Sequence, residues 1–345
     1  MTPRRTFLQS SIGGAVAALA SCGRVESNSK GMILRVCCWN NFFAPETIKS
    51  FESKHSCNVD VVNFETNEEL FTRLDANHAN VDVVTPSSYF VPVLAAAGLL
   101  KEVGDVVHSR PLHAPGLSDA GPMPAHMVPY VWSVSGVLSL GDVGRSAVSW
   151  DMFSNTSFSK KFSLLEDMRE VVGAALKLTK SSANTTSPDA IRRAREVATT
   201  WVKSCLYMAN TQYTIGLEAG EILLAHGYNA DAWHASRANS KLGFHVPAEG
   251  GLVSIDGFAI SAKSPNHGLA ADFIRHMHLE ENVGANMNWS GLLSLDKAAL
   301  DRATSLKDFV FASNHEGMRK SEILMDVGND IDVMNDIWQS ILESR

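Results

Sequence analysis

Three acidic residues crowd the start of an apolar stretch that predicts a helix. In the segment LLEDMREVVGAAL, residues 164–176, they are Glu166, Asp167 and Glu170. Asp167 and Glu170 are three positions apart, so both side chains lie on one face of the helix. Acids at this position stabilise a helix through its dipole, and Arg169 or another neighbour could neutralise them. The alternative is that their carboxylates bind a positively charged ligand, and these residues alone leave both interpretations open.

A further acid lies in different surroundings. Asp256 is inside GLVSIDGFAI, residues 251–260, where its neighbours are apolar and typical of a strand. A buried carboxylate in such a place is costly unless it is paired or hydrated. We expect Asp256 to face a cleft, although a hydrated position on one face of the strand fits the same pattern.

Aromatic and small polar residues follow three predicted strands, residues 33–38, 58–64 and 81–85. Parallel strands bring such residues together beyond the carboxyl edge of their sheet. Ammonium groups take charge-assisted hydrogen bonds from carboxylates, and the methylene groups between them pack against aromatic rings. Acids and aromatics lining one cleft would therefore suit a linear polyamine. The residues after the strands are Trp39-Asn40-Asn41-Phe42, Glu65-Thr66-Asn67 and Pro86-Ser87-Ser88-Tyr89.

Helix signals separate these three strands. Pro45 opens a helix that runs through His55, Thr66 and Glu69 form a capping box, and Gly98 closes a third helix. The spacing predicts a βαβαβ unit with parallel strands and right-handed crossovers. A second α/β region follows. Its predicted elements are strands at 127–140, 161–165 and 221–225, two strands within 243–261 around Gly250-Gly251, and a long amphipathic helix at 189–204.

The sequence carries no catalytic motif of the GxSxG, P-loop, GxGxxG or HExxH type. The two histidines of His276-Met277-His278 do not share a helix face, so we expect no metal site, and nothing indicates a cofactor. The formal charge of −7 argues against nucleic-acid binding and permits a cationic ligand.

Four cysteines lie beyond the N-terminal region, at positions 37, 38, 57 and 205. No CxxC pair exists. A disulfide of Cys57 with Cys37 or Cys38 and a set of buried free thiols both remain open.

The first 21 residues have the order of an export signal. Arg4 and Arg5 form a basic region, and the apolar run that follows is shorter than the roughly 20 residues that span a bilayer. The segment LASC resembles a bacterial lipobox, which implies cleavage before Cys22, lipid on its sulfur, and a polar tether over residues 22–32. An ordinary signal peptide with a chance cysteine is the alternative. RRTFLQ resembles a twin-arginine signal, so the export route stays open.

In order and spacing, six segments resemble the periplasmic spermidine/putrescine-binding proteins of bacterial ABC importers. The resemblance implies an α/β, two-lobed fold of the type II periplasmic-binding-protein (Venus-flytrap) kind, with a helix-flanked sheet in each lobe and hinge crossovers between lobes. It places residues 33–128 and 257–299 in the N-terminal lobe, and 129–256 and 300–345 in the C-terminal lobe. The segments are VCCWNNFFAPETIKSFESKH, VDVVTPSSYFV, VPYVW, LLEDMREVVGAAL, NTTSPDAIRRA and PAEGGLVSIDGFAI.

The same resemblance implies a ligand-binding set. In the family, acids bind the amine nitrogens and aromatic rings flank the aliphatic chain. The protein would then be a monomer without enzymatic activity that delivers polyamine to an inner-membrane permease with a cytoplasmic ATPase, and only a lipid anchor would attach it to the membrane. The matching positions are Trp39, Asn40, Phe42, Ser87, Ser88, Tyr89, Asp167, Glu170, Tyr228 and Asp256, with Asn210 as a weaker match.

Several positions depart from the family pattern and leave the choice of amine open. Phe42 stands where Tyr is usual, and Tyr228 where Trp is usual. Ser254 and Leu292 stand where aromatics are expected, and Leu324 replaces an amide. Two alternatives stay open. One is a receptor of the same fold for another small cationic or neutral solute, and the other is a sensory lipoprotein without a transport role.

Overall fold

The three strands predicted near the N-terminus are present in the structure, together with further strands. The computed structural model of the protein describes residues 31–76, 81–107, 112–119, 121–141, 148–311 and 315–345. The predicted signal peptide, the Cys22 lipidation site and nearly all of the tether lie outside these residues. The strands are β1 Met32–Trp39, β2 Cys57–Phe64, β3 Val83–Val84, β4 Leu100–Lys101, β5 Val128–Leu140, β6 Phe162–Leu164, β7 Tyr207–Met208, β8 Leu224–Tyr228, β9 Leu242–His245, β10 Leu252–Ser261, β11 Leu293–Ser294 and β12 Glu322–Ile323.

The helices begin where the sequence carries start signals. The Glu69 N–H donates to Thr66 Oγ1 at 3.1 Å, as the capping box predicts, but the Glu69 carboxylate accepts from the N–H of Glu65. Within the described residues, no helix has the length and apolar character needed to cross a membrane. The helices are α1 Pro45–His55, α2 Asn67–Asp75, α3 Val91–Ala96, α4 Met168–Leu178, α5 Pro188–Ser204, α6 Tyr213–Glu218, α7 Asn229–Ala238, α8 His267–Met277, α9 Glu280–Ser290, α10 Lys297–Arg302, α11 Thr304–Phe311, α12 His315–Arg319 and α13 Ile331–Glu343.

The predicted parallel βαβαβ unit is confirmed, since β1 pairs in parallel with both β2 and β3. The strand predicted at 221–225 was placed three residues too early, because residues 219–223 still form the turn after α6. The pairing follows the order β2-β1-β3-β10-β5-β8-β6-β7. β5 and β10 are the two long central strands and run antiparallel to each other.

β10 changes partners halfway along its length. Its first residues pair with β5 and β12, and its last residues pair with β3 and β4. The register with β5 shifts between Asp256 and Gly257. Asp256 therefore lies where two groups of strands meet, which brings segments from distant parts of the chain around one carboxylate.

Two apolar clusters support these strands. One packs Trp150, Phe153, Phe162 and Trp201 under α4, α5 and α13, and the other contains the β1, β3 and β10 side chains. Residues Met32–Arg345 form one compact unit. The predicted lobe boundaries, 33–128 with 257–299 and 129–256 with 300–345, stay a prediction.

The cysteines of the described residues are buried and free. The register of β1 with β2 explains why no bridge forms, since Cys57 lies opposite Met32 while Cys37 lies opposite Val62. Of the two alternatives left open by the sequence, the structure has buried thiols. Burial raises the pKa of the Cys37 thiol to about 11, which keeps it protonated and unreactive.

The Gly250-Gly251 turn that leads into β10 requires its first glycine. Gly250 has φ +102°, and an added Cβ would lie 2.3 Å from the carbonyl oxygen of Lys320. Gly220 has φ +70°, but a Cβ there would meet no atom within 4 Å. We expect Gly250→Ala to lower the free energy of unfolding by about 3 kcal/mol or more, and Gly220→Ala by only about 1 kcal/mol. Urea denaturation measures both, and equal losses would contradict the packing argument.

Candidate ligand-binding cleft

A cleft with a cavity volume of about 120 Å³ lies where the three N-terminal loops meet the central strands. The loops that follow β1, β2 and β3 all contribute to it, as the sequence predicts. On the other side lie β5, β8, β10, the start of α4 and part of α7. The lining residues are Trp39, Asn40, Asn41, Phe64, Glu65, Asn67, Ser87, Tyr89, Ser133, Asp167, Asn210, Thr211, Tyr228, Ala230, Asp231, His234, Ser254, Asp256, Ser290 and Leu292.

Asp256 faces this cleft, as expected, and is held by the loop after β3. The Ser87 hydroxyl donates to Asp256 Oδ1 at 2.7 Å, and the N–H of Ser88 donates to the carbonyl of Ile255 at 2.7 Å. The side chain is buried, and burial raises the pKa of the Asp256 carboxyl to about 7, with a smaller contribution from Glu170 and an opposing one from Ser87. A cation beside Asp256 would restore its ionised form.

A chain of polar side chains connects Asp256 to an aromatic wall of the cleft. Asn67 accepts a hydrogen bond from the N–H of Ser87 at 3.2 Å and donates from Nδ2 to the Tyr89 hydroxyl at 3.0 Å. Asn67 is itself buried at the start of α2. The orientation of the Tyr89 ring is therefore fixed before any ligand arrives.

Asp167 is a helix cap and also lies in the cleft. It is the N-cap of α4, where its Oδ1 accepts from the N–H of Glu170 at 3.1 Å, and its side chain also lines the cleft. Burial raises the pKa of the Asp167 carboxyl to about 7, and the charges of Glu170 and Glu68 raise it further. The capping bonds act in the opposite direction without offsetting the burial.

Glu170 lies behind the cleft and does not line it. The Ser135 hydroxyl donates to Glu170 Oε2 at 2.5 Å, and His226 Nε2 lies 3.6 Å from the same oxygen. Within the described residues, Glu170 Oε1 has no hydrogen-bond partner. The charge of Glu170 acts through space, since it is among the causes that raise the pKa values of Asp167 and Asp256.

The basic residue closest in sequence to these acids makes its hydrogen bonds to other groups. Arg169 donates to the carbonyl of Met325 at 2.9 Å and to Asn184 Oδ1 at 3.0 Å, and its Cζ lies 5.5 Å from the centre of the Tyr89 ring. Over the described part of the chain, no Lys or Arg nitrogen comes within 4.0 Å of the Asp167, Asp231 or Asp256 carboxylates. The acids of the cleft therefore make no ion pair with a Lys or Arg among the described residues, although the charge of Arg169 interacts with Asp167 and Glu170 through space.

Two other predicted residues also lie outside the lining. Phe42 is buried in the apolar core, with its ring centre 5.0 Å from that of Phe43 and 6.1 Å from that of Tyr130. It has no hydroxyl to draw it toward the polar cleft, and it follows Asn41, whose left-handed backbone (φ 54°) turns the chain. Ser88 is buried and contributes its backbone N–H to β10. The other predicted positions lie in the cleft, namely Trp39, Asn40, Ser87, Tyr89, Asp167, Asn210, Tyr228 and Asp256.

The structure adds lining residues that the sequence analysis did not select. Asp231 and His234 project from α7, which begins directly after Tyr228. The Tyr213 hydroxyl donates to Asp231 Oδ2, and burial raises the pKa of the Asp231 carboxyl to about 6. Their spacing of three residues would have placed both side chains on one helix face, but the sequence analysis did not predict the helix α7.

Comparisons with known proteins agree on one family. The sequence profile described as bacterial extracellular solute-binding protein matches residues 46–310. The putrescine/cadaverine-binding protein of Pseudomonas aeruginosa is 27% identical over 280 residues, which cover 76% of this chain and 79% of that protein. The putrescine-binding periplasmic protein PotF of Escherichia coli is 25% identical over 308 residues, 82% of each chain.

A solved structure extends the comparison to the fold. The crystal structure of the TpPotD lipoprotein of Treponema pallidum matches with a TM-score of 0.76 and 23% identity, covering 90% of this chain and 99% of that one. The match confirms the fold class predicted from the sequence.

Proposed function

The chain belongs to the bacterial extracellular solute-binding proteins, which have two lobes around a ligand cleft, and from this premise we propose that its solute is a linear polyamine, putrescine or spermidine. Family membership confirms the prediction of a binding protein rather than an enzyme, and it places the protein outside the cytoplasm. The two relatives described above support the choice of solute, since both are putrescine-binding proteins.

The observation that carries the proposal is the set of carboxylates in one cleft. Asp167, Asp231 and Asp256 line it, and Glu170 lies directly behind it. Burial disfavours the ionised carboxylates, as the raised pKa values of Asp167 and Asp256 record. An ammonium group supplies both the missing positive charge and several N–H donors, so a polycation gains most from this arrangement.

The walls between the acids suit an aliphatic chain. The aromatic residues Trp39, Phe64, Tyr89 and Tyr228 line the cavity, and the rings of Trp39 and Phe64 lie 4.3 Å apart between centres. Methylene groups bury apolar surface against such rings, and a cation over a ring face gains about 0.5–2 kcal/mol. A small carboxylate anion would meet the same acids and be repelled.

In the proposed transport cycle, the two lobes close on the polyamine and the closed protein docks on an inner-membrane permease with a cytoplasmic ATPase. Lipid on Cys22 would keep the protein at the membrane surface, and it would act as a monomer. The six-motif resemblance and the LASC segment support these finer statements.

Two lining residues favour a second candidate, a receptor for another small cationic or neutral solute. Ser254 and Leu292 line the cleft where the resembled family carries aromatic rings. Compared with aromatic rings, these two side chains leave more space in the cleft, and the serine hydroxyl adds a polar group. An unbranched diamine requires neither.

A thermal-shift screen separates the two candidates. Ligand at 100 times its Kd adds about 2.7 kcal/mol to the free energy of unfolding, which raises the melting temperature measurably. We expect putrescine, cadaverine, spermidine or spermine to raise it, and sugars, amino acids and dicarboxylates to leave it unchanged. A shift produced only by neutral solutes, or only by cations other than linear polyamines, would favour the second candidate and reject the first.

A further inference from the structure

Tyr213 is a buried phenol whose hydroxyl connects two residues of the cleft. Its side chain is fully buried at the start of α6. The hydroxyl donates to Asp231 Oδ2 and accepts from the backbone N–H of Tyr228 at 3.2 Å. Asp231 and Tyr228 line the cleft, whereas Tyr213 is not among the described lining residues. Any effect of this phenol on a ligand is therefore transmitted by its two neighbours.

The space for the Tyr213 ring depends on a glycine of β8. An added Cβ at Gly227 would lie 2.4 Å from Cε2 and 2.8 Å from the hydroxyl oxygen of Tyr213. A buried ring packed this closely against the backbone of a central strand has little freedom to move. Packing therefore fixes the position of the hydroxyl before any ligand binds.

The direction of the two hydrogen bonds is fixed as well. The N–H of Tyr228 can only donate, so the single proton of the phenol is directed to the Asp231 carboxylate. Burial and the charge of Asp231 raise the pKa of Tyr213 well above its usual value. The phenol thus keeps its proton, and remains a donor, over the pH range in which carboxyl groups titrate.

This donor opposes the effect of burial on Asp231. Burial raises the pKa of the Asp231 carboxyl to about 6, and the hydrogen bond from Tyr213 acts in the opposite direction. Asp231 lines both the cleft and an adjoining cavity, and among the described residues no Lys or Arg lines either one. The acids and the histidine that share these cavities with it are Glu65, Asp167, Glu218, His234 and Asp256.

We infer that Tyr213 is a positioning residue for the ligand, because its hydroxyl orients the Asp231 carboxylate and keeps it ionised to accept an ammonium group. The inference rests on the proposed function and deepens it. A carboxylate that is held through one oxygen keeps the other oxygen for a ligand. Without the hydroxyl, the side chain of Asp231 would rotate more freely and would bind a proton more tightly, and the ligand would have to reverse both changes.

A double-mutant cycle measured by calorimetry at pH 7 tests the inference. Tyr213→Phe removes the hydroxyl and keeps the ring, and we expect it to weaken putrescine binding about fivefold. In an Asp231→Ala background the same substitution should change the Kd less than about twofold, because the group through which it acts is absent. Equal losses in both backgrounds, or no loss in the wild-type background, would overturn the role of Tyr213.

The pH dependence of binding is a readout that a loss of packing alone does not change. In Tyr213→Phe the affinity lost between pH 8 and 6 should exceed the wild-type loss about threefold, because Asp231 then takes up a proton at higher pH. Tyr207→Phe is the matched control, since the Tyr207 hydroxyl packs against Gly216 of α6, outside the described cleft lining. Its affinity should stay within about twofold of the wild type at both pH values. Parallel pH profiles for Tyr213→Phe and the wild type would contradict the inference.

Two further observations separate this inference from the proposed function. If the wild type binds putrescine and Tyr213→Phe leaves both the Kd and its pH dependence unchanged, the proposed function stands and the inference fails. If the wild type binds no amine, both fail. Carboxyl ¹³C titration of the ligand-free protein reports Asp231 directly, and an equal midpoint in the wild type and Tyr213→Phe would overturn the inference without any ligand.

Discussion

Replacing Asp256 with alanine is expected to weaken putrescine binding at least tenfold at pH 8. The carboxylate is buried in the cleft and receives, from the part of the chain that the structure describes, one side-chain hydrogen bond, donated by Ser87, which leaves capacity for an ammonium donor. Removing one partner of a buried charge pair costs about 2–5 kcal/mol, and each 1.4 kcal/mol is about a tenfold change in Kd. Calorimetric titration of wild type and variant with putrescine measures the difference.

Glu166→Gln provides the matched control for this variant. Glu166 is an exposed acid beside Asp167, its side chain is not part of the cleft lining, and its backbone N–H donates to Asn210. The control removes the same formal charge from the protein and should change the Kd less than twofold. If Asp256→Ala leaves the Kd unchanged, Asp256 does not bind the ligand.

Putrescine affinity should fall about 100-fold when the pH is lowered from 8 to 6. The pKa of each of Asp167 and Asp256 is about 7 in the ligand-free cleft, so both carboxyls are largely protonated at pH 6. The diamine stays doubly charged throughout and binds the ionised carboxylates. Each carboxyl group that must lose its proton to bind the diamine then lowers the affinity about tenfold over this range.

The variant Asp256→Asn checks the origin of this pH dependence. It removes one of the two titrating groups, so the loss between pH 8 and 6 should shrink to about tenfold, from a lower starting affinity. A wild-type affinity that is flat over this range would mean that neither carboxyl changes protonation on binding.

The free energy of unfolding of the ligand-free protein should fall as the pH rises, whereas the affinity for putrescine rises. Both pKa values are raised from an ordinary value of 3.8 to about 7, so the folded state holds these protons more tightly than the unfolded state. Their contribution to the free energy of unfolding is fully present below about pH 4 and is lost as the pH rises through 7. Thus the charge arrangement that favours a polycation weakens the ligand-free fold.

Much of the fold could be predicted because its signals are local. Apolar runs define β1 and β2, and Pro45 in the first turn of α1 and the cap Thr66 of α2 define the helices that follow them. The joint position of Trp39, Ser87 and Tyr89 then follows from parallel pairing. Asp256 could be selected because a carboxylate within an apolar strand is costly unless it serves a purpose.

The remaining site depended on contacts between distant residues. Glu170 lies behind the cleft because the Ser135 hydroxyl, far from it in sequence, donates to its carboxylate, and His226 lies beside the same oxygen. Phe42 matches a family position, but its side chain packs in the core beside Tyr130. The misplaced start of β8 hid the helix that carries Asp231 and His234, so their common face could not be recognised.

The central claim is that paired positive charges hold the ligand in a cleft lined by Asp167 and Asp256. Calorimetric titration at pH 8 with putrescine and with 1,4-butanediol, which has the same carbon chain without charge, tests it most directly. The account predicts saturable one-to-one binding of putrescine and no detectable heat from the diol. Comparable binding of both compounds, or saturation by the diol alone, would contradict it.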